Sequence, residues 1–183
     1  MNLTSETANN INLIVAPFTV VIDTQEQAAW NFRGLRADAD DHYADLVVPT
    51  LSKKLRTGDY SIVGMENLVT IERKSLGDAY NTFGDGRDRW ERELKRMVDF
   101  QFAAVVVEAG WPSVLAHVQP PSASGRQFTA KHFYRSVIAW QVRFPMIQWW
   151  FCPSRTFAER SAFRLLQRFW LDNANNEDRF QPD

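Results

Sequence analysis

The chain has 183 residues, 45% of them hydrophobic and 13% aromatic, enough apolar material for one domain with a real core, which excludes disorder except at the two ends. Lys and Arg total 21 against 22 Asp and Glu, so a formal net charge of −1 argues against a globally basic nucleic-acid binder and moves the question to where the charges sit. A single cysteine, Cys152, excludes an internal disulfide framework and a cysteine-based zinc site. It reads as a small buried hydrophobe, which fits a reducing compartment. The start "MNLTSETANN" lacks a basic signal-peptide region, and no apolar run approaches the roughly 20 residues of a membrane helix, so an intracellular protein, cytoplasmic or nucleoid-associated and not membrane-bound, is expected.

In chain order, "FTVVID" (Phe18–Asp23) reads as a core strand ending in an acid, with "TQEQAAWNF" as a turn or short helix. "DLVVPT" (Asp45–Thr50) is a short strand, and "RTGDY" is a turn around Gly58. "YSIVG" and "NLVTIERK" form a hairpin across Gly64 to Glu66. From Ser75 the pattern turns helical, with Trp90, Leu94 and Met97 at helical spacing and a break at Gly84 and Gly86. "FAAVVVEAG" (Phe102–Gly110) is a buried strand, followed by a loop rich in Pro and Ser in which "SVLAHV" forms at most a turn of helix. Phe128–Phe144 is a helix whose stripe of Phe133, Trp140 and Phe144 faces either the chain's own sheet or a second copy. "PMIQWWFCP" is the last strand, in which Trp149 or Trp150 faces inward. The last helix starts at Ser154, with Phe157, Leu165 and Phe169 on its apolar face. Together these predict an α/β fold with a central mixed sheet flanked by helices, as one domain over residues 16–172 between flexible tails at 1–15 and 173–183.

Charge is unevenly placed. Between Arg126 and Trp170 there are eight Lys or Arg and one acid, Glu159, and Arg160, Arg164 and Arg168 recur every four residues on one helix face. That face is either plainly solvated or a surface for nucleic-acid phosphates. His42, His117 and His132 have no ligand spacing, although His132 is a candidate phosphate contact. "FGDGRDR" lacks the Lys-Ser/Thr of a nucleotide loop.

The chemistry concentrates in "RTGDYSIVGMENLVTIERKSLGD". Glu72 and Lys74 are two apart, so on a strand they share one side while Arg73 faces the other. The neighbouring turn brings Asp59 to them, and Asp78 opens the next helix, where its dipole favours a carboxylate. Asp23 ends the first strand, and Glu26 follows one turn later. Acids gathered at one sheet edge need a counter-ion, and hard oxygen ligands suit Mg²⁺ or Mn²⁺. With a nearby Lys, this is the equipment for metal-dependent phosphodiester hydrolysis. The rival reading is a set of surface ion pairs beside a strand.

"GDY…IERKSLGD" resembles the motif of the XPF-type structure-specific nuclease domain family: Gly-Asp, a variable gap, Glu-Arg-Lys, three residues, Asp. Those elements stand here as Gly58-Asp59, Glu72-Arg73-Lys74 and Asp78. Upstream, "IDTQE" is similar to the family's Asp-x-Arg-Glu, with Gln25 in the place of Arg. Downstream, "SLGDAYNTFGDGR" places Arg87 at the family's Gly-Arg. The resemblance runs from about Phe18 to Phe169.

The resemblance implies a restriction-endonuclease-like fold and a Mg²⁺-dependent DNA endonuclease, with Mn²⁺ able to substitute, acting on branched, flapped or otherwise structured DNA. It implies Asp59 and Glu72 as first metal ligands with the Arg73 carbonyl, and Asp23 and Glu26 completing the site. Lys74 positions the attacking water. Arg73 supports the strand from its other face or meets the backbone, and Asp78 and Arg87 stand nearby. Arg87, Lys131, Arg160, Arg164 and Arg168 are the expected DNA contacts. Gln25 removes a positive charge near phosphate, which bears on binding strength and substrate choice. Family members also carry a tandem helix-hairpin-helix domain, for which this chain is too short. A homodimer or a protein partner is expected to supply that function. The alternatives are a non-catalytic DNA-binding or scaffolding subunit of the same fold, and a restriction-type enzyme that reads duplex sequence.

Overall fold

The computed structural model of the protein describes residues 13–37, 44–121 and 127–177, the last three for their backbone only. His42 and Arg126, and most of both expected tails, lie outside them. Among the described residues, nine strands and five helices run in the order β1 (Leu13–Val15), β2 (Val20–Ile22), β3 (Leu35–Ala37), β4 (Ala44–Val47), β5 (Thr50–Ser52), β6 (Tyr60–Ile62), β7 (Val69–Lys74), α1 (Leu76–Phe83), α2 (Arg87–Met97), β8 (Phe102–Val107), α3 (Trp111–Ala116), α4 (Ala130–Arg143), β9 (Ile147–Phe151) and α5 (Arg155–Glu177).

Six strands form the main sheet in the order β5-β2-β6-β7-β8-β9. β2, β6 and β7 alternate in direction, whereas β7, β8 and β9 run parallel. Parallel neighbours need crossovers, and helices supply them: α1 and α2 between β7 and β8, α3 and α4 between β8 and β9. The result is the expected mixed sheet with helices on both faces. A small second sheet, β1-β4-β3, adds to one side. β1 lies within the stretch read from sequence as a tail, and α5 runs past residue 172 to Glu177. Neither β1 nor β3 exceeds three residues, too short for a period of two to register.

The strand pleat divides the core. On β8, Ala104 and Val106 face α5 and the small sheet, while Ala103, Val105 and Val107 face α1, α2 and α4. Phe133, Trp140 and Phe144 are buried in the second cluster, so the aromatic stripe of α4 packs against the chain's own sheet. α5 turns Ala158, Ala162, Phe163 and Leu166 inward, with Leu165 and Phe169 partly buried beside them as expected, whereas Phe157, also expected on the apolar face, is exposed. Trp149 packs parallel to Trp140 at 6.1 Å between ring centroids, Trp150 faces outward, and Cys152 is buried as expected.

One backbone position controls the approach to the site. Gly58 adopts φ +78°, a left-handed conformation that favours glycine. A Cβ there would also overlap the Thr70 hydroxyl and stand 3.2 Å from the Ile71 carbonyl oxygen. The β6–β7 hairpin therefore closes only around a bare backbone. Gly58→Ala is expected to cost about 2–3 kcal/mol of stability, read as a lower urea midpoint at an unchanged slope.

Candidate active site

β7 carries Glu72, Arg73 and Lys74 to its C-terminal end, all three side chains largely buried. The pleat aims Glu72 and Lys74 toward α2, where they pair directly and the Lys74 ammonium lies 5.1 Å from the Trp90 ring centroid. The turn at Gly58 brings in the third group. The Asp59 amide donates to the Ile71 carbonyl (2.9 Å), and Asp59 Oδ2 accepts the Arg73 amide (2.7 Å). Those two bonds hold the Asp59 carboxylate at the strand edge beside Glu72. Helix α1 starts at once: Ser75 caps it, accepting from the Asp78 amide (3.2 Å) and donating to the Asp78 carboxylate (2.6 Å).

The electrostatics follow from that crowding. Burial, then the nearby Glu72, push the Asp59 carboxyl up to about 8, and Lys74 and the Arg73 amide offset only part of it. Burial would lower the Lys74 pKa, but Glu72 first, then Asp59 and Asp78, raise it on balance, so the ammonium stays charged. One cation thus serves two or three carboxylates.

On the other face Arg73 forms the hub of a second charged cluster. Its Nε and Nη2 donate to Glu108 Oε1 (2.7 Å) and Oε2 (2.9 Å) in a bidentate pair, and Nη1 donates to Glu26 (3.3 Å). Glu108 Oε1 also accepts from Trp30 Nε1 (2.8 Å) and Arg155 Nη1 (2.9 Å). Arg155 continues to the carbonyls of Ala28 and Ala29, which straps the 24–31 loop to the start of α5. Glu26 therefore faces a guanidinium. Asp23 organises backbone, accepting from the amides of Leu55 (2.7 Å) and Gln25 (3.0 Å).

Asp23, Glu26, Asp59, Glu72, Arg73, Lys74 and Asp78 all line one open cavity of about 720 Å³. The structure brings the sequence-predicted acids together at this cavity and places the expected basic contacts elsewhere. Arg87 lines a neighbouring cavity, donating to Ser136 Oγ (2.7 Å) and stacking over Trp140. Arg160, Arg164, Arg168 and Lys131 line neither cavity. Arg164 donates to the Arg36 carbonyl (3.0 Å), and Arg168 pairs with Asp172. The cleft's own cations are Lys54, Arg56, Arg89 and Arg96. Arg89 and Arg96 are seven apart on α2, a spacing that marks one helix face, and "KKLR" just before the Gly-Asp turn carries the other two. Arg56 pairs with Asp99 and Arg96 with Glu93, while Lys54 and Arg89 have no ion-pair partner among the described residues. Glu108 also escaped the sequence reading. Its only signal was an acid closing an otherwise apolar strand.

A hard divalent cation fits this donor set in a limited way. Among the described residues no group of three or more His, Cys, Asp or Glu side chains forms a ready cage. Asp23 and Glu26 have their oxygens committed elsewhere. What remains is the Asp59–Glu72 pair, whose burial and mutual repulsion keep the Asp59 carboxyl protonated and which a bound cation would allow to ionise together. One or two carboxylates plus waters is a normal Mg²⁺ complement.

A family model described as the ERCC4 domain matches residues 22–161. Among solved structures, XPF from Aeropyrum pernix matches with a TM-score of 0.55 at 17% identity, covering 89% of this chain and 70% of that one. XPF from Aeropyrum pernix in complex with DNA also gives a TM-score of 0.55 at 17% identity, covering 85% of this chain and 66% of that one. At that identity the likeness is one of fold. No curated protein matches the chain in sequence.

The raised Asp59 pKa has a stability consequence. Its folded-state value, about 8, exceeds the ordinary 3.8, so the fold holds a proton that the unfolded chain releases. This contribution is complete below about pH 4 and is lost as pH rises toward 8. Asp59→Asn cannot ionise and keeps an acceptor for the Arg73 amide. In EDTA the variant is expected to exceed the wild type by on the order of 1–3 kcal/mol at pH 8.5 and to match it near pH 4. Urea melts across that range check it; a pH-independent difference would remove the burial-and-repulsion account.

Proposed function

Because the chain belongs to the ERCC4 domain family, a family of DNA structure-specific nucleases, we propose that it is a metal-dependent endonuclease hydrolysing phosphodiester bonds in branched, flapped or otherwise structured DNA. One observation carries this reading: Asp59, Glu72 and Lys74 converge in an open cleft whose rim is basic.

Asp59 and Glu72 would hold Mg²⁺, or Mn²⁺ in its stead, with the Arg73 carbonyl as the third protein ligand implied by the motif. Such an ion, when bound, polarises a phosphoryl oxygen and lowers the pKa of a bound water. The chain's own groups do the rest. Lys74 stays cationic and sits against Glu72, where it orients the attacking water and offsets charge building on the phosphate. Trp90 beneath it keeps that ammonium out of bulk water. Lys54 and Arg89, exposed and unpaired among the described residues, seat the flanking phosphates. Asp78 holds the start of α1 and adds to the field on Lys74. Arg73 and Glu26 act as mutual partners behind the strand, supporting the cleft from outside the reaction. No covalent enzyme intermediate is required.

A second copy of the chain, or a protein partner, would dock elsewhere than on the buried aromatic stripe. α4 turns Tyr134, Ile138 and Val142 outward at spacing of four, the natural place for such pairing.

Labelled duplex, flap, fork and single-stranded DNA, incubated with Mg²⁺ or EDTA, test the reading. The wild type is expected to cut flapped or forked DNA only with metal, and Glu72→Gln to lower that rate by at least a thousandfold while still binding. Binding without cutting by the wild type would favour a scaffolding subunit, and cutting only at fixed duplex sequences a restriction-type enzyme.

The salt dependence locates the DNA. Lys54→Ala with Arg89→Ala is expected to reduce the slope of log K against log salt by about two, one for each phosphate left without its cation. Arg160→Ala with Arg164→Ala on α5 should leave it nearly unchanged. The reverse result would put DNA on the α5 face.

A further inference from the structure

A second cavity stands apart from the carboxylate cleft. It holds about 930 Å³ and opens between α1, α2 and α4, with Gln119 and Phe128 on its remaining side. α1 separates the two: Asp78 and Thr82 face the cleft, while Asn81 and Gly84 face the second cavity. α2 divides likewise, with Arg89 toward the cleft and Arg87 away from it. Two sites on opposite sides of one helix lie about 10 Å apart.

Its lining is of mixed chemistry. Phe128 is half-buried and presents an aromatic ring. Arg87 and Arg135 bring two guanidinium groups beside the carboxylates of Asp85 and Asp88; Arg87 is anchored on Glu91, Ser136 and Trp140, whereas Arg135 is exposed and has no partner among the described residues. Asn81, Gln119 and Gln127 add amides, Gln119 donating to Asn81 Oδ1 at 2.7 Å. A stacking face, amides able to meet a base edge and cations for a phosphate are together the recognition chemistry of a nucleotide unit. The volume suits one extrahelical nucleotide.

We propose that this second cavity seats an unpaired nucleotide from the single-stranded arm of a branched DNA substrate. The proposal rests on the nuclease reading for the identity of that substrate. The rise of a duplex strand is roughly 3.4 Å per nucleotide and an unpaired strand extends further, so a separation of about 10 Å places the seated nucleotide within about three positions of the phosphate in the cleft. Plain duplex has no unpaired base to offer, so the site favours branched over continuous DNA.

The test measures binding in EDTA, so it does not depend on cutting and its failure is distinct from failure of the nuclease reading. Fluorescence anisotropy would compare a flap, the same flap with abasic sites at its first four arm nucleotides, and a nicked duplex without an arm. Thymidine 5′-monophosphate would compete as the free nucleotide. The wild type is expected to bind the flap about tenfold more tightly than either the abasic flap or the nicked duplex. Arg135→Ala and Phe128→Ala should each bring those ratios within about twofold. Should Phe128→Ala fail to fold, Arg135→Ala decides alone, since its side chain is exposed. Ratios unchanged by Arg135→Ala, or equal weakening on all three DNAs, overturn the proposal. So does a wild type that the monophosphate competes with but that ignores the abasic arm, because the cavity would then take free nucleotides.

Discussion

The pleat of one buried strand organises this molecule. β7 carries three consecutive charged residues into the core, which is expensive unless each finds a partner on its own side. Glu72 and Lys74 find one another toward α2, and Arg73 finds Glu108 and Glu26 behind the sheet. The rest adapts to that division. Trp30, Arg155 and the 24–31 loop close over the Arg73 side, and α1, α2 and Trp90 frame the other. Removing either member of the Arg73–Glu108 pair would strand a buried charge, typically a loss of about 3–5 kcal/mol. The pair matters less for its net energy than for fixing which way the strand faces.

The two clusters differ in balance. Behind the sheet, Glu108 and Glu26 meet the guanidinium groups of Arg73 and Arg155, so charge is matched and the bonds are short. In the cleft one ammonium serves Asp59, Glu72 and the outlying Asp78, while burial, and then the neighbouring Glu72, push the Asp59 carboxyl up to about 8. The fold thus balances one cluster of acids with two guanidinium groups and leaves its neighbour beside β7 with a single ammonium. The deficit lies in an open cleft that substrate can reach.

Much of this was legible in the sequence because it is local. The two-residue period of Glu72 and Lys74, the glycine before Asp59 and the helix start at Ser75 are written within a few residues of where they act. The distance of the expected basic face from the cleft was not legible for the opposite reason. Arg160, Arg164 and Arg168 form the more regular pattern, but a regular pattern on an amphipathic helix marks only its outer face. Which side of the sheet that helix covers depends on topology. Arg89 and Arg96 carry a fainter pattern and line the cleft because α2 is part of the β7–β8 crossover. Glu108 was invisible for the same cause: its partner lies 35 residues away across a parallel strand pair.

Gln25, where the motif would have Arg, can be weighed in this light. The position lies in a turn, its amide donates to Asp23, and its side chain borders the cleft. An arginine there would stand close to Glu26, Arg73 and Arg155. Glu26 and Glu108 already engage both of those guanidinium groups, and Arg155 also ties the loop down through two carbonyls. A third guanidinium would add like-charge repulsion without a free acid to meet. Glutamine at position 25 leaves the Arg73–Glu26 pair as it stands and borders the mouth of the cleft. There Lys54 and Arg89 stand exposed and carry the positive field that a phosphate backbone would meet. A net charge of −1 is compatible with such a rim because the balance is local, with matched pairs inside and, among the described residues, cations without ion-pair partners outside.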